Sequence, residues 1–281
     1  MTETNLWRHE AYAQNVILKF LCKKILFSDQ SPYQKVEVVE TDYFGRVLLN
    51  DDIIMICEKD EFVYHEMIAH VPLFLHPNPE NILIIGGGDG GTAREVLKHP
   101  SIKLCHMVEI DQMVVDACKL HIPQTAVSFL HPKLDLKIED GVKFVQNSNE
   151  KYDVVLIDST DPVGPAVPLF GDTFYKNVFN ILKDDGIVVA QGESPFYNLP
   201  SQKSLMKITK KLFPISCFYH FGNMTYPGGL WSFLLASKQY HPVKDFQKSK
   251  IPQMKFQYYN PDIHIGAFAT PSFLNKIIQT L

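Results

Sequence analysis

The sequence has no cysteine framework. Its five cysteines are Cys22, Cys57, Cys105, Cys118 and Cys217; no two are spaced C-x-x-C, and one thiol is left over from any full pairing. That argues against a disulfide scaffold or a cysteine-rich zinc site and for a reducing, cytoplasmic compartment. Basic residues are not in excess: Lys and Arg total 27 against 31 Asp and Glu, a net charge of -4. Such a balance gives no general attraction to nucleic acid, and none is expected as a partner. No apolar run reaches membrane-spanning length, so no membrane association is expected. Val16–Phe27, the most apolar early stretch, is interrupted by Lys19, Lys23 and Lys24. The opening MTETNLWRHEAYAQ has acids and no apolar signal core. Internal repeats and low-complexity tracts are also missing.

The 281 residues suffice for about two domains. With 46% hydrophobic and 21% charged residues, the chain has the composition of a folded globular protein. Residues 16–57 read as short strands, with Asn50-Asp51-Asp52 as a turn between Val47–Leu49 and Ile53–Ile56. A helix is expected from about Asp60 to His70, with Asp60 and Glu61 in its first turn and Pro72 beyond its end. The connector His76-Pro77-Asn78-Pro79 suggests a division into a small β-strand domain, residues 1–75, and a larger domain, residues 76–281.

After Pro79 strands and helices alternate. Buried strands are expected at Ile82–Ile85, Leu104–Val108, Leu134–Ile138, Val154–Ile157 and Ile187–Ala190, with helices at Thr92–Lys98, Gln112–Leu120 and Phe174–Leu182. This alternation predicts right-handed βαβ units and a mostly parallel sheet. Residues 215–221 and 231–236, joined by Thr225-Tyr226-Pro227-Gly228-Gly229, would add an antiparallel hairpin. The expected class is α/β, a Rossmann-like sheet of the class I methyltransferase type behind a small N-terminal β domain. The short N-terminal strands cannot bury both faces by themselves, which points to pairing with another subunit, a homodimer or a tetramer.

The run ILIIGGGDGGTAREVL is the strongest local signal. Gly86, Gly88 and Gly91 satisfy G-x-G-x-x-G between a strand and a helix, the context this motif requires. Glu109, at the end of the next strand, is placed to accept from ribose hydroxyls. A tight turn with no ligand is the plainer alternative, and the acid in register favours a nucleoside. Asp89 lies inside the loop, where a fixed negative charge opposes a pyrophosphate and favours a cationic tail. That shifts the expectation from a dinucleotide to a sulfonium nucleoside. Asp140-Gly141 would then meet the adenine, although Asp140 also suits a helix N-cap. After the fourth strand, Asp158-Ser159-Thr160-Asp161 leads into a Pro/Gly-rich loop. So many carboxylates at one sheet edge suit a polycationic substrate, and Tyr64 and Tyr226 are candidate aromatic faces for it.

GGGDGG, VEID, EDG, DSTDPVGP and TYPGG, in this order after EKDEFVYHEM, resemble spermidine synthase over nearly the whole chain, from Ser31 to YYNPDIHIGAFATPSF. The resemblance implies transfer of an aminopropyl group from decarboxylated S-adenosylmethionine to putrescine, giving spermidine and 5′-methylthioadenosine. The nucleoside is then a co-substrate, and no separate cofactor is implied. Asp158 would be the catalytic acid-base group and Asp161 the anchor of the diamine, with Ser159 and Thr160 lining its path. Tyr64, His65 and Tyr226 would serve the amine site and Asp89 the donor's ammonium. Gln34, Gly86, Gly88, Glu109, Asp140, Gly141 and Pro165 would face the nucleoside. Met55 and His65 stand where some relatives have glutamine, which leaves the acceptor amine less defined than the reaction.

Two other readings share this fold, an amine N-methyltransferase using S-adenosylmethionine and a ligand sensor without turnover. Asp89 would repel the carboxylate of ordinary S-adenosylmethionine, and intact Asp158 and Asp161 argue against a sensor. No metal is expected. His65-Glu66-Met67-Ile68-Ala69-His70 is HExxxH rather than HExxH, and histidines five apart point about 140° apart on a helix.

Overall fold

Six strands open the chain: β1 (Leu6–Ala13), β2 (Val16–Cys22), β3 (Lys24–Gln30), β4 (Lys35–Glu40), β5 (Arg46–Asn50) and β6 (Ile53–Cys57). In the computed structural model, which describes residues 6–13, 16–160, 164–226, 228–251 and 254–278, β1 and β2 form an antiparallel hairpin and β3–β6 a four-stranded antiparallel sheet. Asp51 and Asp52 both have positive φ, 48° and 66°, so the expected Asn-Asp-Asp turn takes the hairpin conformation that matches strand twist. β1 was not legible as a strand.

The strands β3–β6 do need cover from outside their own sheet, and much of it comes from the same chain. Val36, Val38, Leu48 and Ile56 face one way and pack on α3 (Gln112–His121) and α4 (Pro123–Ala126). Val39, Val47, Leu49 and Ile54 face the other way and pack on Phe20 and Cys22 of the hairpin. On the hairpin, Trp7, Ile17 and Leu21 remain exposed.

The central sheet has seven strands in the order β12-β13-β11-β10-β7-β8-β9. They are β7 (Asn81–Gly86), β8 (Leu104–Glu109), β9 (Leu134–Ile138), β10 (Tyr152–Asp158), β11 (Leu182–Gln191), β12 (Ile215–Gly222) and β13 (Leu230–Ser237). The first five are mutually parallel, and β12 and β13 add the expected antiparallel hairpin. β9 is only half-buried, contrary to expectation, because it is the edge strand. Helix α1 (Glu61–Leu75), α2 (Gly91–Leu97) and α8 (Pro261–Ala267) contribute to the core on one sheet face. On the other, α5 (Gly141–Asn147), α6 (Asp172–Ile181) and α7 (Leu199–Leu212) cover Leu83, Val155 and Val188. α9 (Ser272–Ile278) is the last described element.

α1 departs from its expected bounds. It runs through Pro72 to Leu75, with the His76 amide donating to the Pro72 carbonyl. Burial on every side outweighs the hydrogen bond that proline cannot donate. Thirteen of its fifteen residues are buried, so its ionisable side chains must find partners inside the protein. Asp60 stands at the N-cap position of this helix, but its side chain makes no cap hydrogen bond. Its carboxylate instead accepts from the amides of Met224 and Thr225, each at 3.0 Å.

Candidate active site

The carboxyl ends of the parallel strands open into a cleft enclosing about 1220 Å³ of empty space, part of it open to solvent. Strand order fixes its two sides. Glu109 ends β8 and Asp140 follows β9, on one side of the glycine loop; Gln34, Gly86, Gly88 and Gly141 join them in the lining. Asp158 ends β10 on the other side, and beyond it come Gln191 at the end of β11 and Tyr226 between β12 and β13. Tyr64, His65, Asp89, Ser159 and Thr160 complete that half of the lining. Asp161 lies outside the described residues. Pro165 falls on a 3-10 turn, Gly164–Phe170, whose Ala166 and Leu169 line the cleft.

Asp158 is the most constrained group. Tyr64 Oη donates to Oδ1 at 2.8 Å, and Thr92 Oγ1 donates to Oδ2 at 2.7 Å. Its backbone carbonyl accepts from the Gly87 amide at 2.8 Å. Gly86 permits this contact: its φ is +84°, and a Cβ there would lie 2.1 Å from the Asp158 carbonyl oxygen. Burial, then the charge of Asp89, holds the Asp158 carboxyl above the ordinary range. That moves it toward the basicity a proton acceptor needs. Burial, then Asp158, raises the phenol of Tyr64, so it stays a donor. Ser159 Oγ is buried and has no hydrogen-bond partner among the described residues.

Asp89 Oδ1 accepts from the Gly91 amide at 2.8 Å and lies 3.3 Å from His65 Nε2. His65, Asp89 and Asp158 bring one nitrogen and two oxygens within 4.8 Å of one another, a negatively charged focus for a cation. Tyr226 packs edge-on to Tyr64, with centroids 5.7 Å apart, and donates to the Met55 carbonyl.

On the β8 side of the cleft, Glu109 Oε1 accepts from the Asp111 amide at 2.9 Å. Burial pushes the Glu109 carboxyl up to about 7. Gln34 Nε2 donates to Asp111 Oδ2 at 3.0 Å, which ties the N-terminal sheet to the cleft. Asp140 caps α5, accepting from the Val142 amide at 2.9 Å, so its helix-cap role coexists with its place in the lining.

Residues 61–248 match the family model described as spermine/spermidine synthase domain. The chain belongs to the spermine/spermidine synthase family. Residues 6–58 match the model described as spermidine synthase tetramerisation domain. The polyamine aminopropyltransferase of Alkaliphilus metalliredigens is 46% identical over 278 residues, covering 98% of each chain. That of Bacillus subtilis is 42% identical, covering 98% of this chain and all of the relative. A spermidine synthase crystallised with the transition-state analogue AdoDATO superimposes with a TM-score of 0.96 at 41% identity, over 99% of this chain and 97% of that one. The spermidine synthase of Thermotoga maritima gives 0.95 at 40%, over 99% and 96%. Membership makes this protein a transferase of polyamine biosynthesis with the Rossmann-like fold expected from its sequence.

In this family member several cleft residues escaped sequence reasoning. Glu10, from β1, reaches the lining and accepts from the Ile54 amide at 2.9 Å. Trp231 packs on Tyr226 at 4.8 Å between centroids; its indole nitrogen is buried without a hydrogen-bond partner among the described residues. Neither carries a local motif. Asp60 lies outside the lining but shapes it, holding the turn that presents Tyr226 through the Met224 and Thr225 amides and the Thr225 hydroxyl.

Proposed function

We propose that the protein is a spermidine synthase, transferring the aminopropyl group of decarboxylated S-adenosylmethionine to putrescine. The observation that carries this reading is the Asp89–Asp158 pair at the centre of the cleft, with Glu109 to one side and Tyr226 to the other. The amine lone pair attacks the methylene on the sulfonium; the carbon–sulfur electrons return to sulfur, and methylthioadenosine leaves neutral. Asp158 takes the proton from the attacking nitrogen. An alkylammonium has a pKa of about 10.4, so supplying the neutral amine at pH 7 costs roughly 4–5 kcal/mol. A buried carboxylate above the ordinary range is suited to accept that proton.

In this reading Asp161 anchors the ammonium that stays charged, and Ser159 and Thr160 line the diamine path. Tyr64 orients Asp158, while Tyr226 gives an aromatic wall. Asp89 and His65 receive the donor's ammonium. Glu109 takes the ribose, and Gln34, Gly86, Gly88, Asp140, Gly141 and Pro165 surround the nucleoside. Donor and diamine are substrates, with no further cofactor.

A homodimer or tetramer is supported by the N-terminal family match and by the exposed Trp7, Ile17 and Leu21. Light scattering distinguishes the two. A cytoplasmic location is supported by five free cysteines.

The deciding experiment is a mass-spectrometric product assay. Putrescine with decarboxylated S-adenosylmethionine should yield spermidine and methylthioadenosine. N-methylputrescine from putrescine with S-adenosylmethionine would overturn the reading; turnover only with cadaverine or spermidine would change the acceptor.

A further inference from the structure

His65 lies with its ring between two carboxylates. Nδ1 is 2.5 Å from Glu61 Oε2, and Nε2 is 3.3 Å from Asp89 Oδ1. Glu61 is held as an anion by Arg94, whose two terminal nitrogens donate to its two oxygens at 2.8 Å each. Burial would raise the Glu61 carboxyl, but His65 and Arg94 bring it down to about 2. Arg94 is itself fixed by Glu95 Oε1 at 2.8 Å and the Gln124 carbonyl at 3.1 Å. Nδ1 must therefore carry a proton and donate it to Glu61.

That settles what Nε2 can do. Nε2 has no hydrogen-bond partner among the described residues, and at 3.3 Å from Asp89 Oδ1 an unprotonated Nε2 would set its lone pair close to the carboxylate. The oxygen cannot easily turn away, because it also accepts from the Gly91 amide at 2.8 Å. With no other cation at Asp89, Nε2 keeps its proton and the imidazolium is the counter-ion of Asp89. An arriving alkylammonium changes the balance: it brings its own charge and three N–H donors. At Asp89 two cations would then compete, with Asp158 already held by Tyr64 and Thr92, unless His65 releases the Nε2 proton and offers its lone pair as a second acceptor.

We propose that the donor's ammonium binds by exchange for the Nε2 proton of His65, and that Glu61 and Arg94 are positioning residues that lock the ring in the tautomer this exchange requires. The proposal rests on the aminopropyl-donor reading and deepens it. One N–H bond breaks at His65, its electron pair stays on Nε2, and the proton passes to solvent. The ammonium's charge replaces that of the lost proton; the donor's sulfonium is a second positive charge that this exchange does not offset. The titratable and charged groups around the ring are Glu61 and Tyr64 on α1, Asp89 in the glycine loop, Arg94 on α2 and Asp158 at the end of β10. Cys118 on α3 faces Asp89. Burial alone would lower the His65 pKa; Asp89 and then Glu61 lift it to about 10.

The test is calorimetry of decarboxylated S-adenosylmethionine binding at pH 8.5, in two buffers of different ionisation enthalpy. At that pH Glu109, at about 7, is already ionised and does not contribute. Methylthioadenosine, which lacks both the ammonium and the sulfonium charge, is one control, and its S-methylsulfonium derivative, which keeps the sulfonium and lacks the ammonium, is the second and should also release none. The expected result is release of close to one proton per donor bound and none with methylthioadenosine. His65→Gln, whose amide can donate to Glu61 and accept from the ammonium, should bind donor within about tenfold of wild type and release none. Glu61→Gln should also lose the release. Should His65→Gln fail to fold, the nitrogen-15 shift of His65 Nε2 in wild type is the second readout. It should move from protonated to unprotonated on donor binding and stay put with methylthioadenosine. Donor binding without proton release, or release that persists in His65→Gln, overturns the exchange alone. Failure of the donor to bind where methylthioadenosine binds overturns the donor reading with it.

Discussion

Tyr64 and Asp158, 94 positions apart in the chain, meet through a 2.8 Å hydrogen bond from the phenol to carboxylate Oδ1. Thr92 holds the other oxygen, so the carboxylate plane is fixed before any substrate arrives. Tyr64→Phe should lower kcat by about 10- to 100-fold, the worth of one hydrogen bond to a charged group. Asp158→Asn should lower it by about 10²–10⁴-fold, the usual range for a lost general base. Steady-state kinetics on folded variants checks both. Near-normal turnover of Asp158→Asn would remove it from the reaction.

Glu109 makes stability depend on pH. Its carboxyl lies at about 7 in the folded protein against a reference of 4.5, because burial disfavours the charge. The folded state thus holds that proton more tightly than the unfolded state. This contribution is fully present below pH 4.5 and is lost as pH rises through 7, a change of about 3 kcal/mol. Ligand-free Glu109→Gln should match wild type at pH 4.5 and exceed its stability by about 3 kcal/mol at pH 8, while losing nucleoside affinity. Urea unfolding at the two pH values decides; equal differences at both would refute it.

Asp60 links the start of α1 to the turn carrying Tyr226. It accepts from two backbone amides, the Thr225 hydroxyl and the Cys57 thiol. Asp60→Ala strands these buried donors and should cost about 2–4 kcal/mol. The acceptor's KM should rise while the donor's stays near its original value, since the Glu109 side of the cleft, proposed to hold the nucleoside, is untouched. A uniform rise in both would mean that Asp60 serves stability only.

Gly91 opens α2 directly beneath His65. A Cβ there would lie 2.1 Å from the ring's Cε1, so Gly91→Ala must displace the ring or separate α1 from α2. The melting temperature should fall together with donor affinity. Adding His65→Ala should recover much of the melting temperature and none of the affinity, a coupling that a double-mutant cycle measures. Additive losses would show that the clash is relieved elsewhere.

Much of the central sheet and cleft was legible because their signals are local. The glycine loop, Glu109 and the Asp158 segment each follow a strand, and strand-to-helix geometry alone carries them to one edge of a parallel sheet. The hairpin at 215–237 was legible for the same reason, two apolar runs around a turn. β1 was not, since LWRHEAYA alternates poorly and becomes a strand by pairing with β2. The end of α1 was misplaced because Pro72 is a local stop signal that a fully buried helix overrides.

The amino-acid sequence by itself determined the order of strands and helices, the turn chemistry of the glycine loop and the identity of the carboxylates at the sheet edge, because neighbours within a few residues decide these. Only tertiary structure decided which partners those charges found. Asp60 reaches the Tyr226 turn, Glu10 arrives from the N-terminal hairpin, and Arg94 holds Glu61 against His65. Residues far apart in sequence make these contacts, and a charge buried on a helix interior must be met by whatever group the packing brings to it.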